Sequence, residues 1–291
     1  MIQFQNRLLN SLVSIFFLSL SIFFRKKSLM IFTNRLNLIL WFMIIINIIL
    51  FLNLVFFQKE SFRKIRAISF PELRLIFLAG TLLLSFYTLA TFGLDLVTSI
   101  NYSFISRITL IFSAILAYFF LNEEMNGGKI SLIFLFMIGI YIISTEGKRI
   151  VLQFGDLLIL IGTFCFSSFA IIQKKLCKNL IPGIISWAVT LSGVLVIILV
   201  SLVIRVGLLP ENPYGFLYIL FAGGAEALAV LFMNRTVYIS NVTYYTMMSM
   251  LTPVLNAFLG VIFLSESLSI IQIVGGAILI ISGVMVQRLK C

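Results

Sequence analysis

Ten apolar segments follow one another along this chain with little between them. A helix needs about 20 mostly apolar residues to cross a bilayer. The segments lie at about 8–24, 36–57, 73–93, 98–121, 129–145, 154–173, 183–204, 214–233, 242–264 and 268–286, and each meets or nearly meets that length. Lipid offers no partner to backbone N–H and C=O groups, so such segments must be helices bonded within themselves. Composition excludes a soluble core as the explanation. Hydrophobic residues make up 61% and charged residues 11%, against about half and about a quarter in soluble domains. Mean hydropathy is +1.16. The expected fold class is an all-α integral membrane protein with ten transmembrane helices.

Residues 8–24 read as the first span, not as a cleaved signal, because the basic run Arg25-Lys26-Lys27 follows them and no small-x-small cleavage site does. Turn residues punctuate the rest: Asn126-Gly127-Gly128, Pro182-Gly183 and Pro210-Glu211-Asn212-Pro213. The connection Gln58–Pro71 is long enough for an amphipathic surface segment, with Lys59, Arg63, Lys64 and Arg66 among Phe62, Ile65 and Ile68.

The net charge of +11 sits in short basic clusters between apolar runs. That pattern places cations at a bilayer surface and does not point to nucleic acid. With a cytoplasmic N-terminus, the cytoplasmic segments hold most of the Lys and Arg, including Arg7, Lys59, Arg63, Lys174 and Arg235. Arg25, Lys26, Lys27, Arg35, Lys148, Arg149 and Arg205 fall outside, and Arg107 stays within the membrane. The bias favours both termini in the cytoplasm of a cell-membrane protein. There is no histidine, which excludes a His-ligated zinc site and a Ser–His dyad. Cys165, Cys177 and Cys291 make no disulfide framework. No Walker A loop, metal cluster or cofactor motif is present, so neither cofactor nor enzyme activity is expected.

The second half restates the first. Residues 78–123 align with 221–266 at a constant offset of 143, pairing Gly80 with Gly223, Tyr102 with Tyr245, Ser106 with Ser249, Thr109 with Thr252 and Glu123 with Glu266. Upstream, at an offset of 148, Phe16, Ser19, Lys26 and Lys27 meet Phe164, Ser167, Lys174 and Lys175. Five spans is an odd number, so the second copy crosses the membrane in the opposite sense. Residues 1–149 and 150–291 are then two inverted five-helix repeats. Such repeats are a hallmark of secondary transporters, with the solute near the midplane.

Two stretches carry a family resemblance: Ser103–Glu123, SFISRITLIFSAILAYFFLNE, with Gly139 after it, and Thr246–Glu266, TMMSMLTPVLNAFLGVIFLSE, followed by Gln272-Ile273-Val274-Gly275-Gly276 and Gly283. Each closes an apolar run in Leu-x-Glu before a glycine-bearing final helix. The chain resembles the EamA-like group of the drug/metabolite transporter superfamily. The resemblance implies ten helices, both termini inside, and export or exchange of metabolites. Asn122 and Ser265 stand where that family usually has glycine, and Leu110 where it has proline; Pro253 keeps its place.

Arg107 and Glu226 are the charges deepest within spans. A charge there is expensive and should face protein or a wet cavity. The two are expected on one central cavity, either paired or each holding part of a solute; the alternative is an ion pair that only fixes packing. Tyr102 and Ser106, like Tyr245 and Ser249, are four residues apart and share a helix face. They read as cavity-lining hydroxyl rows, which Asn256 could join at i+7 from Ser249, with Tyr244 the alternative neighbour. Interhelical hydrogen bonding explains the same residues without a solute. Glu123 and Glu266 read as caps on the helix that follows each, and Pro253 as a kink. The functional expectation is alternating-access export of a small metabolite such as an amino acid or amphipathic compound. A non-transporting scaffold or receptor-like protein is the alternative. The expected partners are a small-molecule solute, the lipid bilayer and, as an open case, a second copy in a homodimer.

Overall fold

A computed structural model of the chain describes residues 2–57, 68–96, 102, 105–145, 154–264 and 269–286. Every extended regular element among them is a helix: α1 Ile2–Leu29, α2 Arg35–Phe57, α3 Phe70–Leu96, α4 Thr109–Leu121, α5 Gly127–Thr145, α6 Phe154–Leu176, α7 Pro182–Val203, α8 Pro213–Ile239, α9 Val242–Ser249, α10 Thr252–Leu264 and α11 Ile270–Val286. Six of these, α1, α2, α3, α6, α7 and α8, are long and apolar enough to cross a bilayer. Shorter apolar helices run over Thr109–Leu121, Gly127–Gly139 and Ile273–Ser282. The expected surface segment after Gln58, together with Glu266, Lys148, Arg149 and Cys291, lies outside the described residues.

Local chemistry sets the ends. Pro182 and Pro213 open α7 and α8, where a missing N–H costs nothing. Asn212 accepts from Tyr214 N at 2.8 Å and Asn241 from Tyr244 N at 2.7 Å, which caps α8 and α9. Asn122 ends α4 with φ 53°, in the left-handed region. Glycine or asparagine suits that conformation, so Asn122 meets the backbone need of this position.

Helix α1 departs from the expectation. It runs through Arg25, Lys26 and Lys27 to Leu29, so these cations are helical and not a loop cluster. The apolar run 8–24 is too short for a 30 Å core at about 1.5 Å per residue, and the last-turn lysines complement the helix dipole.

The fourth and ninth segments are each broken. Arg107–Ile108 and Met250–Leu251 are turns, at places related by the repeat offset of 143. Around them the backbone bonds shorten to three residues: Leu110 N donates to Arg107 O at 3.0 Å and Leu251 N to Met248 O at 3.1 Å. Thr109 Oγ1 donates to Ser106 O, and Thr252 Oγ1 to Ser249 O, both at 2.6 Å.

Packing joins the two halves. Helix α1 lies along α8 and α3 along α6; α2 and α3 pack on α7, α8 packs on α2, and α5 lies along α11. Two repeat-related glycines permit close helix approaches. A Cβ on Gly80 would collide with Val189 O of α7, and one on Gly223 would stand 2.7 Å from Ile45 of α2. At one end of the bundle Arg35 forms a bidentate pair with Asp95, at 2.8 and 3.1 Å. At the same end Glu211 accepts from the Thr33 N–H and hydroxyl, both at 3.0 Å, and from Asn34 N at 3.1 Å. Large side chains such as Phe119, Phe134, Leu199 and Ile270 face outward, as lipid contact requires.

Candidate functional site

The two helix breaks meet at a cavity of about 80 Å³ lined from both halves. Helix α1 contributes Leu18, Ile22 and Arg25, α3 Phe86 and Tyr87, and α6 Phe166. Tyr102, Ser106, Arg107 and Thr109 come from the fourth segment, Glu226 from α8, and Tyr245, Ser249 and Met250 from the ninth. Six of the seven expected site residues are therefore together: Arg107, Glu226, Tyr102, Tyr245, Ser106 and Ser249.

Pro253 explains one contact. It has no N–H for the Ser249 carbonyl four residues earlier. That carbonyl takes the Thr252 hydroxyl at 2.6 Å and faces Arg107 Nη1 at 3.5 Å. A guanidinium carried on one broken helix thus reaches the freed backbone of the other. Arg107 is only 9% exposed, and its Nε has no hydrogen-bond partner. Its electrostatic neighbours are the phenols of Tyr102 and Tyr245.

Arg107 and Glu226 share the cavity but make no ion pair. Glu226, 5% exposed, accepts from the Tyr87 hydroxyl at 2.6 Å. Arg25 is the second buried cation on the cavity, 5% exposed, with its guanidinium 5.7 Å from the Tyr87 ring centre and 5.4 Å from that of Phe42. Its Nη1 has no hydrogen-bond partner. Reading Arg25 as an external surface cation is therefore corrected: it lines the site. The deficit of apolar length in 8–24 was the signal that could have found it. Nothing in the sequence singled out Tyr87. Tyr245 is held by Ser14, whose Oγ lies 3.1 Å from its hydroxyl and donates to Ala229 O at 2.8 Å.

Asn256 is not on the cavity, and its Oδ1 has no hydrogen-bond partner. Its repeat counterpart Ser113 bonds Ser167 of α6 at 3.2 Å, a helix-packing contact. Tyr244 also points elsewhere, with Arg7 4.3 Å above its ring. Glu123 does not cap the helix after it. It accepts from Val242 N at 3.1 Å and the Thr243 hydroxyl at 2.7 Å, so it ties the end of α4 to the start of α9 in the other half. Sequence distance hid that partner.

The profile of the EamA-like transporter family matches residues 7–145 and again 153–288. The chain belongs to that family and is a multi-pass membrane transporter. It is similar to an uncharacterized transporter, YyaM, of Bacillus subtilis (strain 168), at 24% identity over 237 residues, 78% of this chain and 75% of that one. A solved crystal structure superposes with a TM-score of 0.76 at 13% identity, covering 99% of both chains. At that identity the likeness shows the fold alone.

Proposed function

We propose that the chain is a ten-span secondary transporter exporting a small metabolite by alternating access, with the solute held at the cavity between Arg107 and Glu226. The spans form two inverted repeats, 1–149 and 150–291, with both termini in the cytoplasm and the protein in the cell membrane. The observation that carries the reading is the pair of helix breaks at Arg107–Ile108 and Met250–Leu251, offset by 143 residues and facing one cavity. Broken helices at the midplane are where secondary transporters bind solute, because irregular backbone at that depth is tolerated only where it is buried in protein or lines a cavity. Exchange-related packing supports the inverted arrangement: α1 on α8 mirrors α6 on α3, and α2 on α8 mirrors α7 on α3.

Arg107, Tyr102 and Ser106 from one half and Glu226, Tyr245 and Ser249 from the other supply the solute contacts. Glu123 holds α4 against α9 at the cytoplasmic end, so opening there requires that contact to break. An amino acid or a small amphipathic compound fits the mix of charged and aromatic walls. The test is flux of a metabolite panel through the purified chain in proteoliposomes. Flux of one class, reduced in Arg107→Gln and Glu226→Gln, is expected. Absence of flux for every solute, with specific binding of a protein partner, would replace transport by a scaffold role.

A further inference from the structure

We infer that the solute carries an anionic head group, a carboxylate or a phosphate monoester, received by the guanidinium of Arg107 with Arg25 adding a second positive charge, and an apolar body. This rests on the reading of the cavity as the transport site. The charge inventory of the cavity is asymmetric: two guanidiniums and one carboxylate. Glu226 is engaged by Tyr87 at 2.6 Å and pairs with neither arginine. The phenols of Tyr87, Tyr102 and Tyr245 complete the ionisable set on the cavity.

Arginine remains charged in proteins and has donors only. Arg107 Nε and Arg25 Nη1 are buried N–H donors without a partner, and Nη1 of Arg107 has only a long contact to a carbonyl. Leaving such donors unsatisfied in a low-dielectric site is costly. A carboxylate or phosphate head group at Arg107 gives its free donors acceptors and offsets the surplus charge in one step, since the guanidinium fork matches carboxylate and phosphate oxygens. A cationic solute would instead have to displace Tyr87 from Glu226 while facing two like charges. The remaining walls, Phe86, Phe166, Leu18, Ile22 and Met250, offer aromatic and aliphatic surface for the body.

The test is equilibrium dialysis of the full chain in lipid nanodiscs against four radiolabelled one-ring probes: benzoate, phenyl phosphate, phenethylamine and benzyl alcohol. Binding of benzoate or phenyl phosphate in preference to the amine and the alcohol is expected, and which of the two anions binds assigns carboxylate or phosphate. Arg107→Gln should weaken that binding by at least about tenfold, because one partner of a buried charged contact is lost. Arg107→Lys, which keeps the charge without the fork, should weaken it less. If Arg107→Gln does not fold, the wild-type preference for anion over amine decides. Preference for phenethylamine or benzyl alcohol, or anion binding unchanged in folded Arg107→Gln, overturns the inference and leaves transport standing. Binding of none of the four also overturns it, while proteoliposome flux decides the transport reading separately.

Discussion

Pro253 stands four residues after Ser249 and leaves that residue's carbonyl to the Thr252 hydroxyl and the Arg107 guanidinium. Proline is not what breaks the helix, however. The fourth segment breaks at the equivalent place with Leu110 in the proline's position, and Leu110 N donates to Arg107 O, three residues back. What the two breaks share is a threonine hydroxyl on a serine carbonyl at 2.6 Å. Pro253→Ala is therefore expected to keep the break and to change stability by no more than about 1 kcal/mol, as compatible proline changes do. The double variant Thr109→Val/Thr252→Val should lose more transport than Pro253→Ala. Flux in proteoliposomes beside thermal unfolding in detergent checks both.

The Tyr87 hydroxyl is the hydrogen-bond donor to the buried Glu226 carboxyl. Tyr87→Phe deletes one oxygen and keeps the ring that packs on Phe42 at 5.2 Å. A buried carboxyl deprived of a partner costs about 1–3 kcal/mol. Tyr87→Phe should lower the unfolding temperature, and the double variant Tyr87→Phe/Glu226→Gln should recover part of that loss. A thermal-shift double-mutant cycle measures the coupling; additive effects would mean that the bond contributes nothing.

Gly80 and Gly223 are repeat partners with unequal tolerance. A Cβ at Gly80 meets backbone, Val189 O and, at 2.9 Å, Gly193 N, as well as Ser192 Oγ. At Gly223 the nearest atoms belong to the Ile45 side chain, at 2.7 and 2.9 Å. Backbone cannot step aside as a side chain can. Gly80→Ala should cost about 1–3 kcal/mol, and Gly223→Ala less. Comparing the two unfolding midpoints in one detergent tests the order.

How far the sequence foretold this arrangement depended on the range of the interaction. Arg107, Glu226 and the Tyr–Ser rows were legible because lipid penalises a charge in a span wherever it sits, and because the repeat marked equivalent positions. Arg25 was misplaced because a basic run after an apolar run is the ordinary mark of a membrane surface; only the helix's length requirement argues otherwise. Tyr87 and the Val242–Thr243 partner of Glu123 were invisible, since both depend on contacts across more than a hundred residues of sequence. Asn256 matched the helical spacing from Ser249, but the turn at Met250–Leu251 interrupts the helix between them, so i+7 no longer places both on one face.

Glu123 joins the end of α4 to the start of α9 by two hydrogen bonds. A carboxylate at the start of a helix is favoured by the free N–H groups there and by the dipole. Glu123→Ala removes both bonds and should weaken the closure at that end by about 1–2 kcal/mol. A cysteine placed at Ser249 then becomes more reactive toward an impermeant maleimide applied from the face that the proposed orientation makes cytoplasmic. Unchanged labelling would show that the contact does not gate access.

The strap around Glu211 should loosen in acid. Some burial raises its pKa, but donation from Asn34 N, the Thr33 hydroxyl and Thr33 N, with the charge of Arg35, outweighs it and holds the group below its ordinary value of 4.5. A carboxyl whose folded pKa is depressed adds stability that is fully present above the unfolded value and is lost as pH falls through the folded one. Between neutrality and about pH 5 the strap should therefore hold, and below about pH 4.5 it should weaken. The side chain is exposed, so the effect is local and screened by salt. Hydrogen exchange at the Thr33 and Asn34 amides, corrected for intrinsic rates, should lose protection over that acidic window in the wild type. In Glu211→Gln, protection should be lower at neutral pH and insensitive to acid. Equal pH profiles in the two proteins would remove Glu211 from the strap.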